Sequence, residues 1–290
     1  MHSSDVILFH GNDLLSPQDM LKVPRNPQQL WVLMTQENPF TVNTGSHRIG
    51  DYDDMFNWTA TYHSKSEIWT PYYEVHKREV ASRLDSNFIN NTDKTRLVMA
   101  IMSNCIAFRV RFIGSLKRFI DVDLYGKCKN EVNPNLSQCE RETLECDRLQ
   151  STYKFFLAIE NAYCPDYVTE KFYKQALLKG LVPIVINGGK LMNRRIAPPH
   201  SYINVLDFKD MKSLADYIDY LDKNQTAYNE YHKWRLSYYV KPHNYGCNLC
   251  KTLNKKHNNV KRWKAKKLST FWSGKSCVRF KKEIFQKYLN

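Results

Sequence analysis

From residue 94 onward, short apolar runs alternate with segments of helical spacing, and this rhythm constrains the fold more than any other feature. Residues 96–102, 122–125, 153–159, 181–186 and 202–205 have the length and composition of buried strands. Between them, Phe108, Phe112, Ile113, Leu116, Phe119 and Ile120 lie at helical spacing over 107–120. Residues 166–179 read as a helix stopped by Gly180, and 210–222 as another. Alternation of this kind builds a doubly wound, largely parallel sheet, whose ligands sit beyond the carboxyl ends of the strands. Ahead of it, 5–9 and 30–34 read as buried strands, 55–62 as a third, and 63–91 as polar loop. The chain is therefore expected to be α/β throughout, in two parts of different texture.

The net charge of +14 suggests nucleic acid, but its distribution does not. Residues 251–290 carry 13 Lys and Arg against one acidic residue, Glu283, so the other 250 residues have a balance of only +2. A basic stretch of this kind reads as a solvated extension, and Trp263 alone makes a thin stacking platform, so no nucleic-acid partner is expected. No run approaches the roughly 20 apolar residues of a membrane span, and residues 1–10 lack the apolar stretch of a signal peptide. Eight cysteines include a single CxxC, Cys247 and Cys250, with no second pair at zinc-binding spacing. Disulfides are the better reading. N-x-S/T sequons at Asn57, Asn90, Asn135 and Asn224 point the same way, toward an oxidising secretory compartment.

The densest motif runs from Tyr153 through Glu160-Asn161 to Asp166-Tyr167-Val-Thr-Glu170-Lys171. A buried strand ends in Glu-Asn, a polar loop follows, and the expected helix begins near Asp166. Backbone N–H groups at a helix start together with Lys171 would cradle a diphosphate. Glu170 would accept hydrogen bonds from ribose hydroxyls. The alternative is a capped surface helix with an ordinary Glu-Lys pair.

This stretch, with its continuation Val182-Pro183-Ile-Val185, resembles the signature of the α1,3-fucosyltransferases, glycosyltransferase family 10. Ser103-Asn104-Cys105 ahead of Arg109-Val110-Arg111-Phe112, the segment 56–62 and Gln36-Glu37-Asn38-Pro39 match further landmarks in order, over roughly residues 5–250. The resemblance implies a GT-B fold, two Rossmann-like domains facing across a cleft, with the N-terminal one truncated here. The implied partition is 1–92 (acceptor side), 93–250 (GDP-fucose side) and 251–290 (basic extension). It also implies inverting transfer of L-fucose from GDP-β-L-fucose to a GlcNAc hydroxyl of a glycoprotein N-glycan. Glu37 is then the base, and Arg109, Asn161, Tyr167, Glu170 and Lys171 bind the donor. No cofactor is required. A divalent cation is at most a stimulant, and Asp51-Tyr-Asp53 and Asp121-Val-Asp123 are read as local caps rather than metal ligands. The full-length protein is expected in the Golgi lumen as a single-pass type II membrane protein.

Several segments (58–62, 125–128, the Cys164 loop and 198–202) look most like the enzymes of invertebrates and plants that modify the innermost GlcNAc. Lewis-type fucosylation of outer N-acetyllactosamine and an inactive family member are the alternatives. The last is motivated by Thr61-Tyr62-His63-Ser64-Lys65-Ser66, which stands where the family carries Thr-Tyr-Arg-Arg-Asp-Ser. Cys247 and Cys250 are expected to lack their partners in this chain.

Overall fold

A computed structural model describes residues 4–42, 47–81, 94–136, 139–140, 142–186, 195–257, 266–272, 277 and 283–289. The chain divides into two compact units. The first comprises Met1–Tyr72, Cys164–Tyr167 and Pro242–Val278, and the second Tyr73–Tyr163, Val168–Lys241 and Arg279–Asn290.

In the first unit, β1 (Val6–His10), α1 (Pro17–Lys22), β2 (Leu30–Thr35), β3 (Trp58–Thr61) and β4 (Ile68–Trp69) follow in chain order. The four strands form one parallel sheet in the order β1-β2-β3-β4. Leu30, Val32, Trp58, Ala60 and Ile68 make its core. All four residues of β3 are buried. Thr59 and Thr61 are buried along with Trp58 and Ala60, so both faces of the strand are covered.

The second unit begins with β5 (Tyr73–Lys77), β6 (Arg96–Ile101), α2 (Ala107–Lys117), β7 (Val122–Tyr125), α3 (Leu144–Ser151) and β8 (Tyr153–Leu157). It continues through α4 (Glu170–Tyr173), β9 (Val182–Val185), β10 (Ile203–Asn204), α5 (Met211–Lys223), α6 (Gln225–Glu230) and β11 (Tyr238–Pro242). Its five-stranded parallel sheet has the order β10-β9-β8-β6-β7, so the chain reverses direction across the sheet between β6 and β8. β5 and β11 pair separately. Helix α5 shows how the sequence makes an element. Asp210 caps it, accepting from the Ser213 N–H at 2.8 Å, and such a cap contributes about 1 kcal/mol. Met211, Leu214, Ala215, Ile218 and Leu221 then form one buried stripe.

The chain returns to the first unit with α7 (Tyr245–His257) and α8 (Leu268–Phe271). Leu249 and Leu253, one turn apart on α7, pack on the first sheet. Three disulfides join Cys105 to Cys128, Cys139 to Cys146 and Cys164 to Cys277, while Cys247 and Cys250 are free and exposed.

Several expectations are corrected. The contact-defined units interleave, where the sequence partition cut once at residue 92 and set 251–290 apart. The described part of that basic stretch is packed rather than solvated. Leu268 and Trp272 are buried in the first unit, and Phe285 and Tyr288 in the second. The apolar and aromatic residues between the lysines carry this burial, and Lys266 itself meets Glu67 at 2.7 Å. The expected helix over 166–179 is one turn, Glu170–Tyr173, followed by a 3₁₀ turn at Leu177–Lys179. Asp166 takes a left-handed φ of 63° and Thr169 is extended, so no helix can run through them. Residues 63–91 are not wholly loop, since β4 and β5 lie within them. Asn57 is unsuited to carry a glycan: it is buried, and its Oδ1 accepts from the Trp31 N–H at 3.0 Å and from Arg25. Asn135 is exposed, Asn224 caps α6, and Asn90 lies outside the described residues.

One buried group makes the second unit acid-sensitive. His232 is 2% exposed, and among the described residues neither ring nitrogen has a hydrogen-bond partner. Burial, with Arg235 and Lys94 nearby, pushes its pKa down to about 3. The folded state thus refuses a proton that the unfolded chain accepts below the ordinary value near 6.5. This contribution to stability is complete above that pH and is lost as pH falls from there toward 3. Urea unfolding should show a midpoint lower at pH 5 than at pH 7. His232→Leu should narrow that difference.

Candidate functional site

In a doubly wound sheet ligands bind beyond the carboxyl ends of the strands where the strand order reverses, here between β6 and β8. The chain places Arg109 there, in the first turn of α2, and Glu160-Asn161 just past β8. The Arg109 guanidinium is 2% exposed, donates to the Ile159 carbonyl at 3.3 Å and reaches the Asn104 carbonyl. It therefore ties the segment after β6 to the end of β8, across the reversal. Asn161, the residue after Glu160, is half-buried. Arg111 is exposed on α2.

Glu160 is 6% exposed, and a carboxylate so placed must be answered by donors. Its Oε1 accepts from the Thr169 N–H at 2.8 Å. Its Oε2 accepts from the Thr169 hydroxyl at 2.9 Å and from the Lys171 ammonium at 3.0 Å. Lys171 also contacts Glu170 Oε1 at 3.4 Å. Burial works against the Lys171 charge, but Glu160 and Glu170 outweigh it and hold the ammonium pKa above its ordinary value. Arg109 lies close enough to oppose them. Arg109, Glu160, Glu170 and Lys171 thus form one charged cluster. Helix α4 is too short to present an N-terminal anion site, so positive charge at this end of the sheet comes from side chains.

Glu37 and Tyr167 belong to the first unit. Glu37 lies two residues past β2, half-buried, with its N–H donating to Thr35 Oγ1 at 3.1 Å. Its Oε2 accepts from the Tyr167 hydroxyl at 3.1 Å and the Thr41 hydroxyl at 3.0 Å. Tyr167, expected on the donor, is hydrogen-bonded to the expected base instead. Glu160, Thr169 and Thr41 were not among the expected site residues. Glu160 carried a signal: a glutamate directly after five apolar or aromatic residues needs a cation, and Lys171 is the next one downstream.

Among the described residues no group of three His, Cys, Asp or Glu side chains converges to hold a metal ion. Asp121 and Asp123 line a separate cavity of about 660 Å³ with Arg96, Thr95 and Val122, at the amino ends of β6 and β7. Asp123 accepts from the Tyr153 hydroxyl there at 2.6 Å.

The buried pair gives a stability test. Lys171→Met should leave the Glu160 carboxylate buried with only Thr169 as donor, at a cost of about 3–5 kcal/mol. Adding Glu160→Gln should return most of that loss. Urea unfolding of both variants measures it.

Residues 91–271 match the C-terminal region of glycosyltransferase family 10 (fucosyltransferase), and residues 1–73 match the fucosyltransferase N-terminal region. A glycoprotein 3-alpha-L-fucosyltransferase A from Drosophila melanogaster is 34% identical over 284 residues, covering 92% of this chain and 54% of that protein. A bovine 3-galactosyl-N-acetylglucosaminide 4-alpha-L-fucosyltransferase FUT3 is 32% identical, covering 86% and 65%. A human 4-galactosyl-N-acetylglucosaminide 3-alpha-L-fucosyltransferase FUT6 is 33% identical, covering 85% and 65%. The chain thus spans between half and two-thirds of these relatives' lengths. Two crystal structures of α1,3-fucosyltransferase, one with GDP, share the fold at TM-scores of 0.52 and 0.54. Their identities are 19% and 21%, and they cover 90% and 89% of this chain and 79% of their own. The chain belongs to the glycosyltransferase family 10 fucosyltransferases.

Proposed function

We propose that the protein containing this chain transfers L-fucose from GDP-β-L-fucose to a GlcNAc hydroxyl of a glycoprotein N-glycan in α1,3 linkage, with the innermost GlcNAc as acceptor. The observation that carries this reading is the Arg109–Lys171 pair of cations at the reversal of the second sheet. As the bond from the fucose anomeric carbon to the diphosphate breaks, negative charge grows on GDP, and fixed cations stabilise it. Asn161 and Glu170 supply polar groups for the nucleotide on the same unit. In one displacement, the acceptor oxygen attacks the anomeric carbon, its proton passes to Glu37, and GDP leaves from the opposite face. The fucose therefore inverts from β to α. A carboxylate suffices as base, because the hydroxyl acidifies as its new bond forms. No metal takes part in this scheme.

Lewis-type transfer to outer N-acetyllactosamine is the second reading. The bovine and human relatives favour it, being nearly as similar to this chain as the Drosophila enzyme. The three disulfides suit an oxidising compartment, and we place the full-length protein in the Golgi lumen with a type II anchor. Among the described residues, no helix is long and apolar enough to cross a membrane.

Mass spectrometry tests the activity. Full-length protein is offered GDP-fucose with a core N-glycan and, separately, an N-acetyllactosamine chain. Fucose on the core GlcNAc is expected. Product on the lactosamine alone selects the second reading, and no product on either overturns both. Glu37→Gln should lower transfer by about 10²-fold or more while leaving GDP affinity within about twofold, by calorimetry.

A further inference from the structure

We propose that Tyr167 and Thr41 are positioning residues for Glu37. Their two hydroxyls fix one carboxylate oxygen so that the other is presented to the acceptor proton. This rests on the reading of Glu37 as the base.

Both hydroxyls donate to Oε2, Tyr167 at 3.1 Å and Thr41 at 3.0 Å. Among the described residues no donor reaches Oε1. A glutamate in a loop samples several rotamers, and two donors on one oxygen select among them.

The Tyr167 hydroxyl is delivered by a strap. The Cys164–Cys277 disulfide anchors its start. The Asp166 carboxylate accepts from the Ser64 N–H at 2.9 Å, and Asp166 holds a φ of 63° that turns the chain sharply before Tyr167. A non-glycine residue in that region is strained, and the surrounding contacts must hold it there. Tyr167 is 2% exposed, with its ring against Tyr62 at 4.8 Å and Tyr72 at 6.4 Å between centroids. The Tyr72 hydroxyl donates to the Gln36 carbonyl, one residue before Glu37, at 3.2 Å. The strap thus meets the segment carrying the base directly at Glu37, while Tyr72, packed on the Tyr167 ring, holds the neighbouring Gln36.

This bears on the departure at residues 62–66. The group that grips Asp166 is the Ser64 backbone N–H, which any side chain at that position other than proline supplies. The hold on Tyr167 therefore survives loss of the family's paired arginines.

The test uses Tyr167→Phe, Thr41→Val and the conservative Thr41→Ser, each alone and in a Glu37→Gln background. With Glu37 present, kcat should fall about tenfold in Tyr167→Phe and in Thr41→Val while the donor KM and GDP affinity stay unchanged, and Thr41→Ser should keep most of kcat. In the Glu37→Gln background the same substitutions should cost no more than about twofold further, because the carboxylate they position is gone. Unchanged kcat in both single variants, or the same tenfold loss in the Glu37→Gln background, overturns the proposal. So does a tenfold loss of GDP affinity in Tyr167→Phe, which would make Tyr167 a donor contact. Normal turnover in Glu37→Gln alone removes the base assignment, and the proposal with it. Phe keeps the ring on Tyr62 and Tyr72, and Thr41→Val gives an independent second variant.

Discussion

A carboxylate at the end of an apolar strand has to be neutralised before the chain beyond it can settle. Glu160 follows five apolar or aromatic residues, and its two oxygens take three donors from Thr169 and Lys171. Isolated charge in such a place would cost several kcal/mol, so the return of the chain to Glu160 is not optional. The requirement fixes both ends of the intervening loop in the second unit. The middle of that loop, Cys164–Tyr167, is left to the first unit, where it carries the hydroxyl that reaches Glu37. Within the first unit that middle segment is held by its own contacts, the Cys164–Cys277 bridge and the Ser64 N–H on Asp166.

Arg109 complements it. The reversal of strand order brings the segments after β6 and β8 together, and the guanidinium spans them through the Ile159 and Asn104 carbonyls. Its fork geometry suits this task in a way a lysine would not. The same group supplies fixed positive charge near Lys171. On the proposed function, structural bridging and charge for a leaving diphosphate would fall to this one side chain.

Much of the second unit could be read in the sequence because periodicity and short connections are local signals. The strands at 96–102, 122–125 and 153–159 and the helix at 210–222 stand close to where their apolar spacing put them. The family signature singled out Glu37, Arg109 and Lys171, but the hold of Glu160 on Lys171 was not legible from it. The helix over 166–179 failed because a left-handed Asp166 and a long-range anchor, the Cys164–Cys277 bridge, override local propensity. Charge counting misread 251–290, since Leu268, Trp272, Phe285 and Tyr288 decide its packing and Lys266 finds a carboxylate remote in sequence. Tyr167 changed neighbours for the same reason: its partner Glu37 is 130 residues away.

The interleaving of the units also orders events during synthesis. The first sheet is translated early, but Lys266, Leu268, Trp272 and Cys277, which belong to its unit, lie far downstream of Tyr72. At a ribosomal pace of 5–20 residues per second, roughly 10–40 seconds separate Tyr72 from Lys266. Until those residues emerge the nascent first unit exposes apolar surface and, once Cys164 is made, a thiol whose mate is still missing. Chaperones and oxidoreductases that act on emerging chains therefore have a defined window on this polypeptide, and it closes only once Cys277 has appeared.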